Sequence, residues 1–413
     1  VSPRRPTARR DLDVVLFGAT GFVGRQTVAH FAARAGGLRW ALAGRSAARL
    51  EQVRARFGAP DAVLIVADAH DPRALDALAA RTRVVLSTAG PFALHGNALV
   101  DACVAHRTHY VDVTGETPWV RSLIDRHHGR AAAEGTRIVP CCGFDSVPSD
   151  LGAWRVARAL RRRHGERCAS VRACFMLRGG VNGGTLASAL NLFDSGEAAR
   201  MADPFLLNPP GSAPRGGAVH ADPVVPHRDA DFGGWVGPFF MGPVNTRVVR
   251  RSAALLAGDP DGPYAPDFRY QEYQRVGRGP AAAVAAAGLG AGLAAARASL
   301  RLAPVRALAR RIAPAPGRGP SERAMDRGAF RCELVGTGTG GHVARGVIAG
   351  RGDPGNRATT VFVCESAITL AGDPAALPGG AARGGVLTPA TALGDPLARR
   401  LVEAGITIEP RPD

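Results

Sequence analysis

An apolar run, Asp13-Val14-Val15-Leu16-Phe17, leads without a break into Gly18-Ala19-Thr20-Gly21-Phe22-Val23-Gly24, and helix-forming residues follow as far as Ala35. A strand, a glycine loop and a helix start in this order make a dinucleotide cradle. Glycines at 18, 21 and 24 permit a tight turn, close approach of the backbone to a pyrophosphate, and close packing of helix on strand, while the positive helix end faces the phosphates. The next strand, residues 39–43, ends where an NAD-selective protein places an acid against the ribose 2′-hydroxyl, about 20 residues past the loop. Here the chain reads Gly44-Arg45-Ser46. An acid would repel a 2′-phosphate, whereas Arg45 forms charge-assisted bonds with one and Ser46 donates another, so the expected cofactor is NADP(H). The bland alternative for Arg45 is an exposed turn residue.

Strand and helix continue to alternate: strands at 62–67, 83–87, 109–113 and 136–139, helices at 71–80, 97–106 and 117–134. The expected fold is α/β, with a Rossmann-type doubly wound parallel sheet over residues 11–150 and a second α+β domain built on a mixed sheet over 151–385. Residues 386–413 read as a C-terminal helix and strand able to pack back on the first domain. Ligands of such sheets collect beyond the carboxyl ends of the strands. Asp68-Ala69 closes the third strand, where a carboxylate can meet the adenine or simply cap the turn before Asp71-Pro72. Thr88-Ala89-Gly90-Pro91 closes the fourth, beneath the nicotinamide half. Further on come a helix to residue 163, a strand at 170–177, a glycine-rich turn, a helix at 185–200, and a stretch at 203–266 dense in Pro, Gly and Asp that reads as long loops. Residues 336–341 (GTGTGG) also fit a dinucleotide pattern, but residues 342–348 alternate like a strand, which predicts a hairpin turn instead.

The 413 residues carry a net charge of +17, and all 52 Lys and Arg residues are arginine. Absence of lysine removes P-loop phosphate binding, Schiff-base chemistry and the lysine of Tyr-x-x-x-Lys dehydrogenases. No arginine block is interleaved with aromatic residues, so nucleic acid is not an expected partner; acidic proteins and anionic lipid are compatible ones. Residues 280–296 carry no charge. They are shorter than the roughly 20 residues of a membrane span and mostly Ala and Gly, which favours a buried or surface-lying helix, with peripheral lipid contact as one reading. Seven cysteines lack Cys-x-x-Cys spacing, no metal-ligand pattern stands out, and the N-terminal residues lack an apolar signal core, so a reducing cytoplasm is expected.

Several segments together resemble the saccharopine dehydrogenase-like NADP-binding oxidoreductases, most closely the trans-acting enoyl reductases of bacterial polyketide lipid assembly. They are residues 18–24, 43–46, 88–92, 109–116 (HYVDVTGE), 142–150 (CGFDSVPSD), 180–185, 268–270, 352–355 and 385–390 (GVLTPA). The resemblance implies an NADPH-dependent reductase of an α,β-unsaturated acyl thioester, free or carried by an acidic acyl carrier protein or polyketide synthase. Two departures stand out. The lysine acid/base of true saccharopine dehydrogenases is missing, which argues against amino-acid chemistry, and Asn182 stands where serine is expected.

Enoyl reduction needs a donor for the developing enolate and a proton for the α-carbon. The candidates are His95, just past the Gly90-Pro91-Phe92 turn, and Asp145 with Ser146, which follow the sixth strand ahead of a helix capped by Ser149 or Asp150. Each has a structural reading: His95 as a solvent-facing helix residue, Asp145 and Ser146 as fasteners of the domain junction. The turn at 179–184 either cradles a pantetheine phosphate or only links strand to helix. Two other functions fit the cofactor half equally: an NADP-occupied scaffold or sensor attached to lipid or a synthase, and a carbonyl or imine reductase.

Overall fold

The run Leu12–Phe17 forms β1 and is buried along its whole length, which a strand achieves only inside a sheet covered on both faces. The computed structural model describes residues 10–180, 183–214, 217–312 and 317–411; Val181 and Asn182 of the glycine-rich turn lie outside them. After β1 come β2 (Trp40–Gly44), β3 (Val63–Val66), β4 (Thr82–Ser87), β5 (His109–Asp112) and β6 (Arg137–Val139). The next group is β7 (Cys168–Arg178), β8 (His227–Asp229), β9 (Gly234–Pro238), β10 (Tyr264–Gly277), β11 (Ala329–Gly338) and β12 (Val343–Arg351). β13 (Gly385–Val386) and β14 (Thr407–Arg411) complete the order.

One sheet is entirely parallel, in the order β13-β6-β5-β4-β1-β2-β3. Strand order reverses at β1, which pairs with β4 on one side and β2 on the other. The crevice beyond the carboxyl ends of β1 and β4 is therefore the topological switch point, where doubly wound sheets bind ligands. The second sheet, β14-β12-β11-β7-β10-β9-β8, is mixed, with only β7 and β10 running parallel.

The helix Val147–His164 leaves the first sheet after β6 and lies across the second. Small residues let it sit close. A Cβ on Gly336 would stand 2.4 Å from Val156, and one on Gly152 would stand 2.9 Å from Leu334. The chain then returns: helix Thr359–Ala371 packs on the parallel sheet and on helix Phe22–Arg34, β13 extends that sheet's edge beside β6, and β14 joins the second sheet beside β12.

Glu365 pins this return. Its fully buried carboxylate receives His30 Nε2 at 2.8 Å and Arg34 Nε at 2.7 Å on one oxygen, and Arg400 Nε at 2.8 Å on the other. Burial alone would raise its pKa, but the bonds from His30 and Arg34 and the charge of Arg400 prevail and lower it below the ordinary 4.5. A depressed folded-state pKa gives stability that is complete above the unfolded value and lost as pH falls through the folded one. Glu365→Ala should therefore cost about 3–5 kcal/mol, because Arg34 and Arg400 lose their anion and His30 its hydrogen-bond partner. Denaturant melts at neutral pH and near pH 4 check this: the deficit shrinks on acidification, and a wild-type stability equal to the variant's at neutral pH would refute it.

The stretch 203–266 is more ordered than its composition predicts, since it holds β8, β9, the start of β10 and helix Gly242–Leu256. The helix escapes a periodicity reading because its polar residues face inward: Asn245, Thr246, Arg247, Arg250, Arg251 and Ser252 are all buried. The arginines satisfy backbone carbonyls, four of them in residues 201–207. Arg247 bonds the Met201 and Asp203 carbonyls, Arg250 those of Pro204 and Tyr270, and Arg251 those of Leu207 and Val386. Burial pulls Arg251 down to about 9. Four such bonds organise residues 201–207, a segment that buries only short apolar runs of its own.

Two other expectations resolve simply. The helix expected over 185–200 is Gly183–Asp194, stopped by Gly196 at φ 74° before a 3₁₀ turn, Glu197–Ala202. The GTGTGG run is a hairpin turn, with Gly338 N–H donating to the His342 carbonyl at 2.8 Å and β11 paired to β12 on either side. All seven cysteines are buried free thiols.

Candidate functional site at the sheet switch point

Gly18 turns the chain off β1 at φ 84°. Its N–H and that of Ala19 donate to the Ala43 carbonyl at 3.0 and 3.2 Å, which ties the loop to the end of β2. The cradle is closed to side chains from within. A Cβ on Gly24 would stand 2.1 Å from the Gly18 carbonyl oxygen, and one on Gly18 would meet the Ala89 nitrogen and Thr88 Oγ1 at 3.1 Å. Helix Phe22–Arg34, entered by Phe22, Val23 and Gly24, starts at Gly21 with no side-chain cap and no acid in its first turn. An uncapped helix end with room for backbone alone fits a pyrophosphate.

Beyond β2, Gly44 lies under Thr20, whose Oγ1 would be 3.8 Å from an added Cβ. Arg45 is exposed at the rim. Ser46 caps helix Ala47–Arg56, its Oγ accepting the Arg49 N–H at 3.4 Å, so the hydroxyl hydrogen remains free to donate to a phosphate oxygen. Asp68 caps its own turn, with Oδ1 accepting the His70 N–H at 2.9 Å, and half-buried Ala69 follows it. The turn-capping alternative for Asp68 is thus realised.

His95 stands on this adenosine side. Its Nδ1 is 3.1 Å from His70 Nε2, and it is the last residue of helix Phe92–His95. Partial burial first, then the charges of His70 and Arg45, lower its pKa, against opposite pulls from Asp68 and Glu116. The structure groups His95 with the loops after β2 and β3, and does not bring it together with Asp145 and Ser146.

At the other end of the crevice, Thr88 Oγ1 bonds the Phe17 and Gly18 carbonyls at 3.3 Å. Ala89, Gly90 and Pro91 follow, and Pro91 starts helix Phe92–His95. Glu116 was missed as a site residue although it ends the HYVDVTGE segment. Its two carboxylate oxygens accept the N–H groups of Phe92 and Ala93 at 2.8 and 2.9 Å, and one also accepts Ser188 Oγ at 2.7 Å. Ser188 belongs to helix Gly183–Asp194 and lies 3.8 Å from where a Gly90 Cβ would be. The second half of the molecule therefore reaches over the fourth strand's terminal turn.

Asp145 lies just across. A Cβ on Gly115 would stand 3.9 Å from Asp145 Oδ2 and 3.7 Å from Met241 Cε. Asp145 is half-buried, and among the described residues no hydrogen bond reaches its carboxylate. Desolvation alone pushes its pKa up to about 6. A carboxyl poised between charge states in an apolar surround is the usual setting of a general acid.

Ser146 is fully buried and begins the helix Val147–His164; Ser149 and Asp150 lie inside its first turn rather than capping it. Ser146 Oγ donates to Asn245 Oδ1 at 3.3 Å, and Asn245 Nδ2 donates to Glu272 Oε2 at 2.9 Å. Glu272 also accepts Tyr270 OH at 2.7 Å and Ser149 Oγ, and burial raises its pKa to about 7. Asp150 accepts the Ala390 N–H at 2.7 Å and Ser252 Oγ, holding the C-terminal helix Pro389–Glu403 in place. Ser146 thus opens a buried polar chain that orients the turn carrying Asp145. Such networks are invisible in sequence, because their members are spread over residues 146 to 272.

A parallel sheet with a glycine cradle at its switch point, an arginine in place of the ribose acid, and a second mixed-sheet half closing over the nicotinamide end define an NADP-dependent oxidoreductase. Residues 14–139 match the family described as saccharopine dehydrogenase NADP binding domain. The chain is 40% identical over 418 residues to a trans-acting enoyl reductase of Mycobacterium tuberculosis, covering 97% of this chain and 98% of that protein. It is 39% identical over 420 residues to one from Mycobacterium ulcerans, with the same coverage. The whole architecture also superposes on apo saccharopine dehydrogenase (L-Glu forming) from Saccharomyces cerevisiae, with a TM-score of 0.50, 14% identity, and 97% and 100% of the two chains covered. That likeness concerns the fold. The protein belongs to the trans-acting enoyl reductase family of saccharopine dehydrogenase-like oxidoreductases.

Proposed function

We propose that the protein reduces the carbon–carbon double bond of an α,β-unsaturated acyl thioester during lipid assembly. The observation that carries this reading is near-full-length identity of 40% to a protein named trans-acting enoyl reductase. The glycine cradle, Arg45 and Ser46 fit NADP(H), which when bound supplies the hydride. The chain's own residues do the rest. Glu116 holds the Phe92 and Ala93 turn rigid beside the nicotinamide end, Ser188 closes that end against water, and Asp145 in its acid form delivers a proton to the substrate α-carbon. Ser146 acts through position, by anchoring the turn that carries Asp145.

Steady oxidation of NADPH with a short enoyl thioester, and recovery of the saturated product, tests the proposal. Turnover of carbonyl or imine compounds but not enoyl thioesters would overturn it, as would tight NADP(H) binding without turnover on any of them.

A carrier-bound substrate accords with the charge of +17, since an acidic carrier protein is steered to a basic surface. Raising ionic strength should then raise KM for carrier-bound substrate several-fold while leaving KM for the short thioester unchanged. Equal salt effects on both would defeat the carrier proposal.

A further inference from the structure

Helix Gly279–Ser299 has a mean hydropathy of 1.5 over its most apolar window, yet only 11% of that window is buried. Of its 21 residues only Ala282 and Ala286 are buried. It is not free to cross a bilayer, because one side lies along β9, where Gly237 leaves room for Leu289 at 3.2 Å from an added Cβ. The opposite side carries Val284, 75% exposed. A second helix, Ala303–Ile312, follows with no buried residue at all. Val305, Leu308 and Ile312 fall at helical spacing on one face, with Leu308 58% and Ile312 78% exposed and Leu302 59% exposed just before the helix. Val224 and Val225, 64% and 71% exposed, adjoin the first helix, with the Val224 carbonyl 3.4 Å from where a Gly290 Cβ would be.

Charge identifies the occupant. Residues 279–312 contain five arginines and no acid. Arg306 and Arg310 turn inward to Asp194, whereas Arg297, Arg301 and Arg311 are exposed. Apolar side chains flanked by exposed arginines, on one helix packed along β9 and a second tied to Asp194, match an anionic lipid surface: the apolar groups enter the acyl boundary and the arginines meet phosphate headgroups. A macromolecular partner rich in acid would satisfy the arginines but not the valines and leucines.

We propose that helices Gly279–Ser299 and Ala303–Ile312 form a peripheral docking surface for an anionic phospholipid bilayer. The surface is joined to the candidate site. Asp194, held by Arg306 and Arg310, ends the helix whose Ser188 bonds Glu116. Docking therefore seats the helix that covers the nicotinamide end at the lipid boundary, where a long acyl chain resides.

Flotation of the full chain with phosphatidylcholine vesicles, with and without phosphatidylglycerol, tests this. Wild type should float with the anionic vesicles and far less with the neutral ones. Leu308→Glu combined with Ile312→Glu, and separately Arg301→Glu combined with Arg311→Glu, should each weaken flotation by about tenfold or more. All four positions are exposed and none lies among the cradle or rim residues, so unchanged NADP(H) binding shows that the variants are folded. Absence of flotation in the wild type, or flotation insensitive to both pairs, overturns the proposal. So does lipid-free self-association, or binding to an acidic carrier protein, that accounts for the same loss in the same variants. None of these readouts depends on turnover, so they stand or fall apart from enoyl reduction.

Discussion

Asp145→Asn should lower kcat for enoyl thioester reduction by about 10²–10⁴-fold, the range of a lost general acid, and leave NADP(H) affinity as it is. The carboxyl sits beyond β6 against Gly115, away from the cradle after β1, so cofactor binding does not involve it. Its role fixes the sign of the pH response. Desolvation places the pKa at about 6, and the acid form is the donor, so kcat/KM should fall by tenfold per pH unit above that value and level off below it. The asparagine variant should lose that limb of the profile, which a merely structural role for Asp145 would not remove. Ser146→Ala gives the contrast. It breaks one buried bond to Asn245 and should reduce kcat through disorder of the turn while keeping the limb. A full-rate Asp145→Asn enzyme would remove Asp145 from the chemistry.

Arg45→Asp should exchange the cofactor preference. The arginine is exposed at the end of β2, placed to form charge-assisted bonds to a 2′-phosphate, and an acid there repels that phosphate while accepting from a 2′-hydroxyl. NADPH affinity should fall by about 10²-fold and NADH affinity should rise, read by calorimetric titration of both nucleotides. Arg45→Lys should retain much of the NADPH preference because it keeps the charge. Unchanged discrimination in Arg45→Asp would mean that the 2′-phosphate is bound elsewhere on the rim.

The cofactor half was legible because each of its requirements is local. Gly24 is legible as glycine because its Cβ would strike a carbonyl six positions earlier in the same loop, and Arg45 is legible because the loop and the end of β2 lie at a set separation. His95 shows the reach of such reasoning. Its place just after the fourth strand suggested the hydride end, but the short helix Phe92–His95 swings its ring toward His70, on the adenosine side. Glu116 shows the opposite case. It lay within a segment that carries the family resemblance, yet its function as an acceptor for two N–H groups of another loop emerges only when β5 and β4 are side by side.

The region between residues 203 and 266 was read as loops for a physical reason. Helix prediction rests on polar residues facing water, and Arg247, Arg250 and Arg251 face inward to satisfy carbonyls of chain that cannot satisfy its own. The apolar helix at 279–299 inverts the same rule. Its composition left burial and a surface position both open, and the fold places it on the surface with only Ala282 and Ala286 buried.

What the sequence determined unaided was the parallel sheet, the position of the dinucleotide cradle and the choice of NADP, because these follow from backbone sterics and from charge at short separations along the chain. Tertiary structure alone decided the company of Asp145, the buried run from Ser146 through Asn245 to Glu272, and the return of Glu365 to the first sheet. Those depend on desolvation and on hydrogen bonds between residues far apart in the chain, and a carboxyl's environment is a property of whatever the fold packs around it.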